Sequence, residues 1–277
     1  MSSQTYQGHL RKMVINHDSD IAQYQIKLDD QLISLNEKIG QPIRIESLGE
    51  IHCLECGRKS KKSFSQGYCY PCFSKLPQCD TCIMSPEKCH FDLGTCRDPK
   101  WGDEFCMQDH IVYLANSSGI KVGITRHSQI PTRWLDQGAM QALPIARVAT
   151  RQLSGLLEVI FKQHVADKTN WRTLLKQDAT NLDLSAKRDE LFETCHEEIE
   201  ELQAHYGLQA VSLIYDAEQQ DFCFPVTEYP TKVVSFNLDK NPVAEGVLKG
   251  IKGQYLILDT GVINLRKYTS YNVSIEC

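Results

Sequence analysis

The stretch His110–Arg126, HIVYLANSSGIKVGITR, decides the reading of the fold. Two short runs rich in Ile, Val and Tyr flank the polar segment NSSG. β-branched and aromatic side chains suit strands, and Asn, Ser and Gly supply turn geometry, so the stretch reads as a β-hairpin. HSQIPTRWLDQGAMQA (127–142) follows. Here Ser128 is the expected cap of a helix that Pro131 helps to start, with Arg133 in its first turns. LPIARVA (143–149) reads as a third strand. RQLSGLLEVIFKQHVADK (151–168) reads as a second helix with Leu153, Leu156, Leu157, Ile160 and Phe161 inward. The predicted order is β-β-α-β-α. Glu158 interrupts the apolar run of that second helix, where a lone carboxylate needs a partner; Arg133 and Arg151 are the candidates.

Outward from this module, YQIKLDD (24–30), QLISLNE (31–37) and QPIRIES (41–47) alternate as strands do, and so does QYLILDTGVINLRKYTSYNVSIE (254–276). The two regions align without a gap at an offset of 230: Leu28, Asp29, Ile33, Leu35, Ile45 and Glu46 match Leu258, Asp259, Ile263, Leu265, Ile275 and Glu276. This suggests two related β units that pack together, although short amphipathic strands also resemble one another by pattern alone. SAKRDELFETCHEEIEELQAHY (185–206) reads as one amphipathic helix, with Leu191, Cys195, Ile199 and Leu202 on one stripe, Ser185 as cap and Gly207 as stop. The expected organisation is α+β and multi-module. It has an N-terminal β unit (1–50), a cysteine-rich block (51–110), the central module (111–176), an acidic helical segment (177–226) and a C-terminal β unit (227–277).

Twelve cysteines occur in 277 residues, nine of them between Cys53 and Cys106. The start MSSQTYQGHLRK has no apolar leader core, and no apolar run approaches the ~20 residues of a membrane helix, so a cytoplasmic, non-membrane protein is expected. In that compartment CxxC pairs read as metal ligands rather than disulfides. Cys53, Cys56, Cys69 and Cys72, spaced C-x2-C-x12-C-x2-C, provide four thiolates for a closed, structural zinc site. Between them Arg58, Lys59, Lys61 and Lys62 either touch phosphate or form a solvated loop. Cys79, Cys82, Cys89, Cys96 and Cys106, with His90 and His110 nearby, are more ligands than one further ion needs. A second zinc anchored by Cys79 and Cys82 is the first reading, its other ligands drawn from Cys89, Cys96 and Cys106; an iron–sulfur cluster is the alternative.

The net charge of −5 argues against a generally nucleic-acid-adhesive chain, but it hides an asymmetry. Residues 111–176 hold nine Lys/Arg against three Asp/Glu, a local net of +6; residues 177–222 hold two against twelve, a local net of −10. A basic module beside an acidic segment is what a phosphate-contacting module would show.

The module at 110–175 resembles the GIY-YIG nuclease domain, in variants carrying lysine in the second motif. Val112, Tyr113 and Leu114 match the first motif; Lys121, Val122 and Gly123, followed by Thr125, match the second; Arg133 matches the helix arginine and Glu158 the metal-binding glutamate. The chain as a whole, including GTCR (94–97) and GQYLILDTGVINLRKY (253–268), resembles the bacterial family termed domain of unknown function 2797, a name that carries no activity. The nuclease resemblance implies phosphodiester cleavage of DNA or RNA. Glu158 would hold Mg²⁺ or Mn²⁺ as a Lewis acid, Arg133 would stabilise developing charge, and Tyr113 would orient or deprotonate water. Lys121 stands where the family usually has tyrosine and offers a point charge for phosphate; Gly123 permits close approach. His127 and His164 are auxiliary candidates, and Trp171 matches the closing aromatic of that family. Two rival expectations remain: nucleic-acid binding without cleavage, and a purely architectural hairpin.

Overall fold

Alternation of apolar and polar residues gives the first 50 residues their strands. In the structure, a computed structural model that describes residues 4–17, 20–165 and 170–277, these are β1 (Thr5–His9), β2 (Val14–Asn16), β3 (Gln23–Leu28), β4 (Gln31–Ser34) and β5 (Pro42–Ile51). The cysteine-rich block carries only short helices, α1 (Tyr70–Phe73), α2 (Thr81–Met84) and α3 (Pro99–Phe105). The central module follows as β6 (His110–Asn116), β7 (Ile120–Arg126), α4 (Thr132–Asp136), β8 (Gln141–Val148) and α5 (Arg151–Phe161), in the expected β-β-α-β-α order. Then come α6 (Trp171–Leu174), α7 (Leu184–Thr194), α8 (His196–Tyr206), β9 (Val211–Leu213) and β10 (Gln220–Asp221). The chain closes with β11 (Val243–Lys252), β12 (Tyr255–Leu258), β13 (Gly261–Asn264) and β14 (Tyr271–Glu276).

The two terminal β regions are one frame. A six-stranded sheet runs β1-β14-β5-β11-β12-β13, and β2-β3-β4 form a smaller sheet beside it. The offset of 230 reappears in the structure. The β3–β4 hairpin, the 3₁₀ turn Asn36–Lys38 and β5 repeat as the β12–β13 hairpin, the 3₁₀ turn Leu265–Tyr268 and β14. The repeats then pair across their shared last strands, with Ile45 opposite Ile275 and Arg44 opposite Glu276.

The central sheet runs β10-β8-β6-β7, with β9 also on β8, so the acidic segment contributes two strands to it. Its faces bury different cores, because successive strand residues point to opposite sides. Ile111, Tyr113 and Ala115 pack with Trp134, Leu135 and the frame residues Ile43, Ile45 and Ile275. Val112, Leu114 and Val122 pack with Leu153, Leu157 and Phe161 of α5 and with Leu191 and Ile199 of the α7–α8 pair.

Three local expectations are corrected. The 185–206 stretch is two helices, because Cys195 leaves helical geometry (φ −103°, ψ 20°); Asp183 rather than Ser185 caps α7, accepting from the Ala186 N–H at 2.9 Å. The predicted stripe survives this break: Leu191, Cys195 and Ile199 are all buried. Ser128 lies in a separate 3₁₀ turn, His127–Gln129, and makes no helix cap, while Pro131 occupies the capping position of α4. Finally, α5 stops at Phe161; residues 166–168 of its predicted extent lie outside the described residues.

Candidate functional site

Tyr113 sits on the central strand β6, directly opposite Gly123 on the edge strand β7. A Cβ on residue 123 would stand 2.6 Å from Cζ and Oη of Tyr113, so glycine is what lets the ring lie across β7. The ring has no solvent exposure, and its hydroxyl accepts a hydrogen bond from Gln137 Nε2 at 3.0 Å. Arg133, from α4, is a second partner of that hydroxyl. Burial raises the phenol pKa, and Arg133 and Gln137 reverse this only in part; the Glu158 charge adds to the rise. A neutral phenol orients a neighbouring group rather than abstracting a proton, which narrows the role expected of Tyr113.

Lys121 lies two residues before Gly123, on the same face of β7, and is 9% exposed. Burial, reinforced by the Arg133 charge, lowers its pKa to about 8. Half-buried Arg133 also faces a cation that no motif pointed to, Arg266, in the 3₁₀ turn of the C-terminal β unit. Arg266 Nε donates to Gln66 Oε1 at 2.6 Å; burial and then Arg133 lower its pKa, with Asp136 opposing. No pattern marked Arg266, because its relevance arises only when the terminal frame folds over the central module. Arg133, a partner of the Tyr113 hydroxyl, thus has two further cations, Lys121 and Arg266, in electrostatic reach.

Glu158 comes from α5, which packs on the sheet face opposite Tyr113, and acts on the tyrosine through its charge. The ion pair seen is with Lys162, one turn later at 3.2 Å, rather than with Arg133 or Arg151. The potential metal-ligand groups found among the described residues do not include Glu158. His127 and His164 are exposed, and Trp171 stacks on Tyr255.

The cysteine block brings four thiols together where they could hold one metal ion. The Sγ atoms of Cys53, Cys56, Cys69 and Cys72 all lie within 4.8 Å of one another, with Cys56 to Cys69 at 3.7 Å. A Zn–S bond of about 2.3 Å gives a tetrahedral edge of about 3.8 Å, so the group can hold a zinc ion. The first knuckle turns at Gly57 (φ +67°), whose N–H donates to the Cys53 carbonyl at 2.9 Å. Burial raises the Cys53 thiol pKa, but the backbone N–H groups of Cys56, Cys69 and Glu55 more than reverse this and bring it to about 6. Lys59 pairs with Glu50 at 2.7 Å, and Arg58, Lys61 and Lys62 are exposed.

Cys79 does not join Cys82 as expected. It is buried, bonds to Ser65 and is influenced by Cys53 and Glu55, on the side of the first centre. Cys82 instead lies with Asp80 and His90, and Asp80 is also bound by Arg97 Nε at 2.9 Å. His110 is fully buried on β6 with Nδ1 at 2.7 Å from the Gln108 carbonyl; burial lowers its pKa to about 4.

The family model described as "Protein of unknown function (DUF2797)" matches residues 40–273, and the chain belongs to that family. No curated protein and no solved structure matches the chain significantly. No helix among the described residues is long and apolar enough to cross a membrane.

Proposed function

We propose that this member of the DUF2797 family binds nucleic acid, gripping a phosphodiester with Lys121, Arg133 and Arg266. The observation that carries this reading is the company these cations keep. Arg133 depresses the pKa of both Lys121 and Arg266, so like charges are gathered where burial already disfavours them. A phosphate, which accepts charge-assisted hydrogen bonds from several cations at once, would relieve this mutual repulsion. The local excess of basic residues over 111–176 supports the same partner, DNA or RNA.

A second reading, GIY-YIG-type cleavage, is favoured by a specific observation. Gly123 and Arg133 meet at the Tyr113 hydroxyl, the Glu158 charge reaches it, and Lys121 lies within reach of the Arg133 charge. Glu158, now paired with Lys162, would offer one carboxylate toward Mg²⁺ or Mn²⁺, with substrate phosphate as the natural complement. Such an ion would contribute Lewis acidity at the phosphoryl group. In this reading Arg133 holds the phosphoryl charge, and the neutral Tyr113 hydroxyl, steadied by Gln137, orients water without accepting its proton. Lys121, with its pKa near 8, can take the attacking water's proton as the neutral amine and return one to the leaving oxygen as the ammonium.

The test is incubation of the protein with labelled single-stranded, duplex and branched DNA and structured RNA, with Mg²⁺ or Mn²⁺, beside Glu158→Ala and Arg133→Ala. Retention that survives Glu158→Ala and fails in Arg133→Ala supports binding. Cleavage that disappears in Glu158→Ala supports the nuclease reading. Neither retention nor cleavage refutes both and leaves the hairpin as architecture.

A further inference from the structure

Two consecutive residues at the start of α5 gather three segments of the cysteine block. The Arg151 backbone N–H donates to the Cys106 carbonyl at 2.8 Å. Arg151 Nη2 donates to the carbonyl of Ile83, next to Cys82, at 2.7 Å. Gln152 Nε2 donates to the Cys89 carbonyl at 3.3 Å. The fourth segment arrives through α3: Cys96 Sγ lies 3.4 Å from where a Cβ on Gly102 would be, and the Gly102 carbonyl accepts from Cys106 N–H at 2.8 Å. Close approach of α5 is secured at Gly155, where a Cβ would stand 2.5 Å from the Glu87 nitrogen. The Cys82 thiol is in electrostatic reach of Cys89, Cys106 and Cys96, and Cys106 of Cys89 and Cys96.

We propose that Cys82, Cys89, Cys96 and Cys106 form a second metal centre, an iron–sulfur cluster whose negative charge is balanced by Arg151. Two features beyond the gathering of thiols support it. Arg151 is largely removed from water, and its Nε is buried without a hydrogen-bond partner among the described residues. The neighbours that favour its charge are the thiols of Cys106 and Cys82, through their thiolate forms. A buried guanidinium in that position calls for an anion, and metal-bound thiolates provide one. Size favours a cluster over a single ion. The first centre brings all its sulfurs within 4.8 Å of one another, as one zinc requires. Among the described residues the other ligand group that close is Asp80, Cys82 and His90; Cys89, Cys96 and Cys106 join neither. Thiols gathered in one place yet outside any group as tight as a single ion requires suit a multi-iron core, for which ligation by four cysteines is usual.

The experiment is metal analysis of the full-length chain, expressed with iron supplied and purified without oxygen. Zinc, iron and acid-labile sulfide are quantified together with the visible absorption of the cluster. The expected result is one zinc per chain plus equal amounts of iron and sulfide, about four each for a cubane. Cys89→Ser and Cys96→Ser should lose iron and sulfide yet keep zinc, Cys56→Ser should lose zinc yet keep iron, and Cys79→Ser should keep both. Two zinc ions with no iron in the wild-type chain, a result that needs no variant to fold, overturns the cluster. Loss of iron in Cys79→Ser equal to that in Cys89→Ser overturns the ligand set.

Discussion

Replacing Gly123 by alanine puts one methyl group into the tightest contact of the candidate site. Its carbon would lie 2.6 Å from Cζ and Oη of Tyr113 and 2.9 Å from Cε2. Non-bonded carbons prefer about 3.5–4.0 Å, so the overlap is about 1 Å. The ring has nowhere to go. It is fully buried, packs edge-on against the equally buried Trp134 at 5.8 Å between centroids, and is held at its hydroxyl by Gln137. Overpacking of this kind costs about 1–3 kcal/mol. The rigidity of the surroundings argues for the upper half of that range, which for a chain of this size lowers Tm by about 5–10 °C. The assay is thermal unfolding followed by circular dichroism, in a cycle with Tyr113→Leu. With the ring removed, the alanine should cost little, giving a coupling energy of about 2 kcal/mol. A Gly123→Ala protein that melts with the wild type, or two substitutions whose effects simply add, would refute the claim that glycine is there to admit the tyrosine.

Other consequences are open to measurement. Cys56 is the exposed ligand of the first centre, so Cys56→Ser should release its zinc, seen as loss of bound zinc by elemental analysis, and lower the unfolding temperature. Burial holds His110 neutral with a pKa of about 4, against about 6.5 unfolded. The unfolded chain binds the extra proton between those values, so stability should fall as pH drops from about 6.5 to about 4, by about 3 kcal/mol at most. Denaturant unfolding of His110→Gln should show a flatter dependence across that window. Lys121 loses its charge as pH rises through about 8, so nucleic-acid affinity should weaken from pH 7 to 9 in the wild type and change less in Lys121→Arg. In fluorescence titrations at several salt concentrations, Lys121→Met should reduce the salt slope by about one; an unchanged slope would remove Lys121 from the interface.

The hairpin, the third strand and α5 were legible because each follows a local rule: period-2 alternation around NSSG, and the 3.6-residue stripe of Leu153, Leu157 and Phe161. The CxxC pairs at Cys53 and Cys69 were legible because a tight turn fixes two sulfurs from sequence alone. What escaped reading is non-local. Cys79 and Cys82 form the same motif, yet tertiary packing turns one thiol to Ser65 and the other to Asp80 and His90. Arg266 meets Arg133 where the C-terminal β unit reaches α4, with Gln254 Nε2 donating to Asp136 Oδ1 at 3.0 Å and its carbonyl accepting from Leu265 N–H at 2.9 Å, and no window of sequence reports that. The break at Cys195 has no counterpart in the stripe, which continues through it; nothing in its surroundings explains the break.

The frame built from both ends of the chain has a consequence for the order of assembly. β5 is complete by residue 51, yet its partners are β11 and β14, which begin at Val243 and Tyr271. During synthesis the early strands must wait while some 200 residues emerge, whereas the zinc knuckle and the β6–β7 hairpin close over short loops. The expected route is inside-out: the cysteine block and central module form first, and the frame zips around them last. Until then β5 is an exposed edge of alternating apolar residues, Ile43 and Ile45 among them, and is the segment most prone to pair with a neighbouring chain.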